Sequence, residues 1–160
     1  MNPEEQLIKT FYTNFQQYNW RGMVECYADN IFFMDPVFAN LEGEQVRAMW
    51  EMLLGRARGL TLSYNNIISD GGYGECNWVA VYTFPATGRK VANKGKARFT
   101  IDDGKIYEHY DEFNFWKWSG QALGIPGWLF GWTPVLHNSV QRKARANLEK
   151  FIKNRPPSSI

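Results

Sequence analysis

The sequence has few of the residues that most often announce a chemistry. Of its 160 residues two are cysteine and two are histidine. A single candidate pair, Cys26 with Cys76, is too little for a disulfide framework in a chain of this size, so two buried free thiols in a reducing, cytoplasmic setting are expected. No His/Cys/Asp cluster has ligand spacing and no glycine-rich phosphate loop is present, so neither a metal nor a cofactor is expected. Charge of one sign is not in excess: 18 Lys and Arg stand against 16 Asp and Glu, a formal net of +2. A general nucleic-acid binder would show a strong basic surplus, and no such partner is expected. No run approaches the ~18 continuous apolar residues of a membrane helix. The acidic opening Met1-Asn2-Pro3-Glu4-Glu5 has no basic or apolar region and is not expected to be a secretory signal. No repeat, low-complexity tract or clear linker interrupts the chain, which fits one domain.

What the sequence has in surplus is rings. Seven Trp, eight Tyr and eleven Phe make 16% of the residues. Large rings either fill a core or line a cavity.

The pattern runs from helices to strands. Pro3, Glu4 and Glu5 suit a helix start, and Leu7, Phe11, Phe15 and Tyr18 give its apolar stripe. After a break at Tyr18-Asn19 a short second helix carries Met23, Val24 and Tyr27. Ile31–Met34 reads as a buried strand stopped by Asp35-Pro36. A third helix is expected from about Gly43 to Arg58, with Val46, Met49, Trp50, Leu53 and Leu54 on one side. Four strands follow: Leu60–Ser69, Cys76–Pro85, Lys90–Ile101, and Lys105 to about Trp118. The turns Asp70-Gly71-Gly72, Ala86-Thr87-Gly88 and Asp102-Asp103-Gly104 separate them, which describes an antiparallel meander. Helices first and a meander after is an α+β pattern. Residues 119–133 read as a glycine-rich apolar loop, and Val140, Ala144, Leu148, Phe151 and Ile152 as the stripe of a last helix. Residues 137–155 hold six cations against Glu149 alone, a net of +5.

The run Tyr27-Ala28-Asp29-Asn30-Ile31-Phe32-Phe33-Met34-Asp35-Pro36-Val37 resembles the first part of ketosteroid isomerases and SnoaL-like polyketide cyclases of the nuclear transport factor 2-like superfamily. Lys105–Phe113 resembles the last strand of SnoaL-like domains. The resemblance implies a cone-shaped, cystatin-like α+β fold. N-terminal helices would pack on a strongly bent, mainly antiparallel sheet around a deep apolar pocket. Residues 1–118 would form the SnoaL-like domain and 119–160 a C-terminal extension packed on it. A homodimer through the outer sheet face is also expected.

Asp35 falls where ketosteroid isomerases keep the carboxylate that moves a proton, a role that a pocket mouth favours by destabilising the charged form; a turn or capping role before proline is the plainer reading. The isomerase oxyanion hole does not carry over. Its tyrosine position falls on Phe11, with Tyr12 one step away, and its aspartate on Gly95 beside Lys96, so steroid isomerisation is not expected. On the last strand, period two puts His109, Asp111 and Phe113 on one face. SnoaL-like cyclases keep an acid/base aspartate in this strand, and scytalone dehydratases pair a histidine with an aspartate. By that resemblance Asp111 would be acid or orienter and His109 a proton shuttle; a structural pair is the alternative. Arg98 could meet Asp111 across the strands. Tyr12, Trp50, Trp78, Tyr82 and Phe113 are candidate pocket walls. The function implied is cofactor-free acid/base chemistry on a small apolar molecule, of isomerase, cyclase or dehydratase type; the alternative is a non-catalytic binder or adaptor. The tail caps the open end of the cone, the favoured reading, or packs on a partner subunit, or docks on an anionic membrane.

Overall fold

The computed structural model describes residues 1–155. Asn2 opens helix α1 (Pro3–Gln16) with a capping box: its side chain accepts from Glu5 N at 2.8 Å and Glu5 Oε2 accepts from Asn2 N at 3.2 Å. Pro3 carries no N–H, so two of the three orphan donors of the first turn are thereby satisfied. Helix α2 (Trp20–Glu25) follows a cap at Asn19. Then come β1 (Tyr27–Asp35), β2 (Ala39–Glu42), α3 (Glu44–Arg56) and the meander β3 (Thr61–Asp70), β4 (Tyr73–Thr83), β5 (Lys90–Asp102) and β6 (Lys105–Phe113). The chain goes on through α4 (Phe115–Leu123), α5 (Ile125–Phe130) and α6 (Pro134–Asn154).

The six strands form one sheet in the order β2-β1-β6-β5-β4-β3. Every join is antiparallel except β1 with β6, which is parallel. Register shifts between Asn65 and Ile68, between Thr100 and Ile101, and between Tyr27 and Phe32 interrupt the ladders. Such irregularities bend strands and raise their twist. The α+β expectation and the four-strand meander therefore stand, in a curled sheet with an added C-terminal helix.

The core lies between the helices and the inner sheet face. Ile8, Phe11 and Tyr12 of α1, Met49 and Trp50 of α3, and Ile31, Phe33, Phe99 and Ile106 of the sheet belong to one buried cluster. A smaller cluster joins Val91, Phe115, Trp118 and Ala122, with Val37, Tyr82, Phe84 and Phe113 packed against it.

Several expectations fail, among them Tyr27 on the second helix: α2 ends at Glu25 and Tyr27 opens β1. The last strand ends at Phe113, not near Trp118, because Asn114 caps a new helix by accepting from Lys117 N at 3.0 Å. Phe115, Trp118 and Ala122 then follow helical spacing onto the small cluster. Residues 119–133 are not a loop: they complete α4 and form α5. The two helices approach so closely that a side chain at Gly127 would meet the Ser119 carbonyl, and one at Gly120 the Trp128 ring. Strand β2 was not foreseen; its four residues carry one buried side chain, Leu41.

Candidate functional site

On β6, His109 is 1% exposed and Asp111 and Phe113 share its face, while Glu112 turns to the other side and binds Arg98. Phe33 of β1 stands opposite His109, and Met34 opposite Tyr110. One residue further along these parallel strands, Asp35 comes abreast of Asp111 on the inner face.

A chain of hydrogen bonds crosses the core to Asp111. Trp50 Nε1 donates to Tyr27 Oη at 3.0 Å, and Tyr27 Oη meets His109 Nδ1 at 2.8 Å. His109 Nε2 lies 3.0 Å from Asp111 Oδ1, which also accepts from Trp78 Nε1 at 3.1 Å. The directions follow from chemistry. Indole is a donor only, so Tyr27 accepts there and its own proton is free to go to Nδ1; Nε2 then carries the imidazole proton and donates to the carboxylate. The ring of His109 is walled by Phe99, Phe33 and Phe11, at centroid distances of 4.6, 5.1 and 5.4 Å. Both of its nitrogens are engaged and it has no open side. His109 is therefore enclosed, with its Nε2 held on Asp111.

Asp35 is pinned from one side as well. Its Oδ1 accepts from Val37 N at 2.8 Å and Phe38 N at 2.6 Å, the side-chain turn that Asp before Pro favours. Burial above all lifts its pKa to about 7; the charge of Asp111 adds to the rise, and the Phe38 and Val37 amides oppose it. Both carboxyls are thus held by Oδ1, and Oδ2 takes no part in these bonds.

The remaining candidate residues separate into those on the inner face and one outside. Tyr12 is buried, and its hydroxyl has no hydrogen-bond partner. Burial raises the pKa of that hydroxyl, followed by the charge of Asp111. Trp78 packs edge-on against Phe113 with centroids 6.2 Å apart. Tyr82 accepts from Trp118 Nε1 at 2.8 Å; burial raises its pKa, that bond opposes the rise, and the charge of Asp35 adds to it. Trp50 is core, stacked over His109 at 6.4 Å. Arg98 lies outside the site. Ala97, not Arg98, stands opposite Asp111, so Arg98 takes the outer face and bonds Glu112 at 2.5 Å. Two open grooves of about 820 and 620 Å³ include neither Asp35, His109 nor Asp111.

Sequence reasoning missed two contributors. Tyr27 bridges Trp50, 23 positions away, and His109, 82 positions away, which no spacing could reveal. His137 of α6 stacks on Phe115 at 4.1 Å, and its Nε2 lies 2.7 Å from Pro36 O, a carbonyl that also accepts from Gln141 Nε2. Helix α6 thereby clasps the turn that carries Asp35. Among the described residues no three His, Cys, Asp or Glu side chains are grouped to hold a metal.

A family model described as a SnoaL-like domain matches residues 8–109. The chain belongs to the SnoaL-like family. The match takes in Asp35, Tyr27 and His109 and stops short of Asp111 and of α4–α6. Among solved structures, this SnoaL-like chain is similar to TerC co-crystallized with polyporic acid, at 16% identity and TM-score 0.62 over 71% of this chain and 92% of that one. It is similar to a protein of ketosteroid isomerase-like fold from Catenulispora acidiphila in complex with trimethylamine, at 13% and 0.66 over 80% and 97%. A third is an LEH-like epoxide hydrolase of M. tuberculosis, at 16% and 0.65 over 79% and 95%. At these identities the likeness shows the nuclear transport factor 2-like fold alone. No curated protein matches the chain.

Proposed function

We propose that this SnoaL-like chain is a cofactor-free acid/base enzyme that moves a proton on a small, mainly apolar molecule held where Asp35 faces Asp111. The observation that carries this reading is the Asp35 carboxyl, lifted by burial to about 7, beside a second carboxyl fixed by His109 and Trp78. A group that titrates near neutrality loses and gains a proton at little cost in either direction. Asp35 is the base through Oδ2. Asp111 is the neighbouring charge that keeps Asp35 basic, and His109, Tyr27 and Trp50 are positioning residues behind it. The unpartnered Tyr12 hydroxyl is the donor for a substrate oxygen as negative charge develops there. Trp78, Tyr82 and Phe113 supply apolar wall. Polyporic acid and trimethylamine, held by two proteins of similar fold, support a small-molecule ligand. Two free buried cysteines fit a cytoplasmic setting. The outer face of β4–β6, where Glu75 pairs with Lys96 and Arg98 with Glu112, is the surface for a homodimer.

The test follows the exchange of α-protons in a panel of cyclic ketones in deuterated water. Exchange above the buffer rate should rise with pH through about 7, and Asp35→Asn should slow it by roughly a hundredfold or more. Asp111→Asn should move the midpoint to lower pH, since it removes a charge that raises Asp35. The non-catalytic alternative gains from the closed cage around His109, which a purely structural role would also require. A panel member that binds with no exchange, or exchange unchanged in Asp35→Asn, would establish it instead.

A further inference from the structure

The proposed chemistry makes no use of α5 and its flanks. Ile125, Leu129, Phe130, Trp132 and Val135 are each more than half exposed, and Trp128 and Trp116 nearly half. Single exposed apolar residues are ordinary, but a contiguous cluster of this kind marks a contact surface. The platform under it is fixed. Trp116 Nε1 donates to Trp128 O at 2.8 Å, Ser119 Oγ to Gly127 O at 3.2 Å, and Trp132 Nε1 to Leu129 O at 3.0 Å. The rings are therefore presented outward by helices tied to each other, and α4 is in turn packed on the cone through Phe115 and Trp118.

The charge along this segment is one-sided. Residues 113–148 contain no Asp or Glu, while they contain Lys117, Arg142, Lys143 and Arg145. Lys117, Arg142 and Lys143 are exposed. Arg145 is spent on Asn40 O and Glu149. Val135 and Arg142 are seven positions apart on α6, two turns along one side, so Arg142 stands about 10 Å along the helix from Val135. Tryptophans flanked by cations without a carboxylate suit the headgroup layer of an anionic bilayer, where indoles rest at the interface and basic side chains meet lipid phosphate. No described helix is long and apolar enough to cross a membrane, so the contact is peripheral.

We propose that α5, with the first turns of α6, docks the protein on an anionic phospholipid surface. Leu129, Phe130 and Trp132 enter the headgroup layer, and Arg142, Lys143 and Lys117 face the phosphates. The half of the tail that caps the cone, α4, and the half that docks, α5, are thus separate parts of one segment.

Co-sedimentation of the full chain with vesicles tests this, using phosphatidylcholine alone and phosphatidylcholine mixed with phosphatidylglycerol. Partition into the mixed vesicles should exceed that into neutral ones by about tenfold and fall with added salt. Leu129→Ser with Phe130→Ser should lower it by roughly tenfold. Arg142→Gln with Lys143→Gln should remove most of the preference for the anionic vesicles, with melting temperatures unchanged in both pairs. A protein that stays in solution with both vesicles, that pellets equally with both, or that is unaffected by the two pairs overturns the proposal. So does size-exclusion showing that Leu129→Ser with Phe130→Ser splits a dimer into monomers, which would make the patch an interface between copies.

Discussion

The tryptophans of the cone and those of the tail use the same side chain in opposite ways. Inside, each indole N–H reaches a side-chain oxygen far along the chain: Trp50 to Tyr27, Trp78 to Asp111, Trp118 to Tyr82. Outside, Trp116 and Trp132 give theirs to backbone carbonyls, Trp116 across from α4 to Trp128 on α5 and Trp132 to Leu129 three residues back, and their rings meet solvent. A buried indole must find a partner because an unpaired donor in a dry interior is costly. The partner it finds is held in place as a result, and three such donors fix Tyr27, Asp111 and Tyr82. These outer indoles spend their N–H groups on main-chain oxygens within the tail and leave their faces for something else.

The largest effect separating the two sets is on stability. Trp50→Ala should cost about 4 kcal/mol, since it empties a buried ring site and strips Tyr27 of a donor. Trp132→Ala should stay within about 0.5 kcal/mol, because the ring is exposed and nothing rests on it. Denaturant unfolding of both variants decides it. Equal losses would mean that the tail rings are core and that the contrast between the two sets is false.

Much of this was legible in sequence, but only where the pattern is local. The meander could be read because period two and its turn residues sit side by side in the chain. Asp35 before Pro36, and His109 with Asp111 on one strand face, were legible for the same reason. The start of α4 was hidden by the rings from Phe113 to Trp118, which fit a strand as well as a helix; the capping oxygen of Asn114 was the signal that separates them. Arg98 was misplaced because the face of a residue on β5 depends on its register with β6, which sets Ala97 against Asp111. Tyr27 could not have been found at all: its role is a contact between strands and a helix that are distant in sequence.

Tyr27 is also the second place to press. Tyr27→Phe keeps the ring and removes one oxygen, leaving Trp50 Nε1 and His109 Nδ1 without their partner in the core. One lost hydroxyl should cost roughly 2 kcal/mol, more than an ordinary hydrogen bond, because two buried polar atoms are orphaned together. A loss below half of that in denaturant titration would mean that the chain from Trp50 to Asp111 does not act as a unit. Exchange activity should fall as well, through a less firmly oriented Asp111.

The smallest effect concerns Asp35, which sits where the dry core meets the α6 clasp on Pro36. Its carboxyl titrates at 3.8 ordinarily and at about 7 in the fold. Below pH 4 it is protonated whether the chain is folded or not, and it costs nothing. As pH rises the unfolded chain ionises first, so stability declines from about pH 4 until the folded carboxyl also ionises near 7, and is level above that. The partial exposure of the residue limits the loss to about 1–2 kcal/mol, well below what the full shift would give. Asp35→Asn can still accept the Val37 and Phe38 amides through Oδ1 but cannot ionise. It should therefore melt close to the unaltered protein at pH 4 and above it at pH 8, by a few degrees. A difference that does not change between those pH values would show that burial is not what lifts Asp35. The carboxyl would then be an ordinary turn residue, held by the same two amides and indifferent to Asp111.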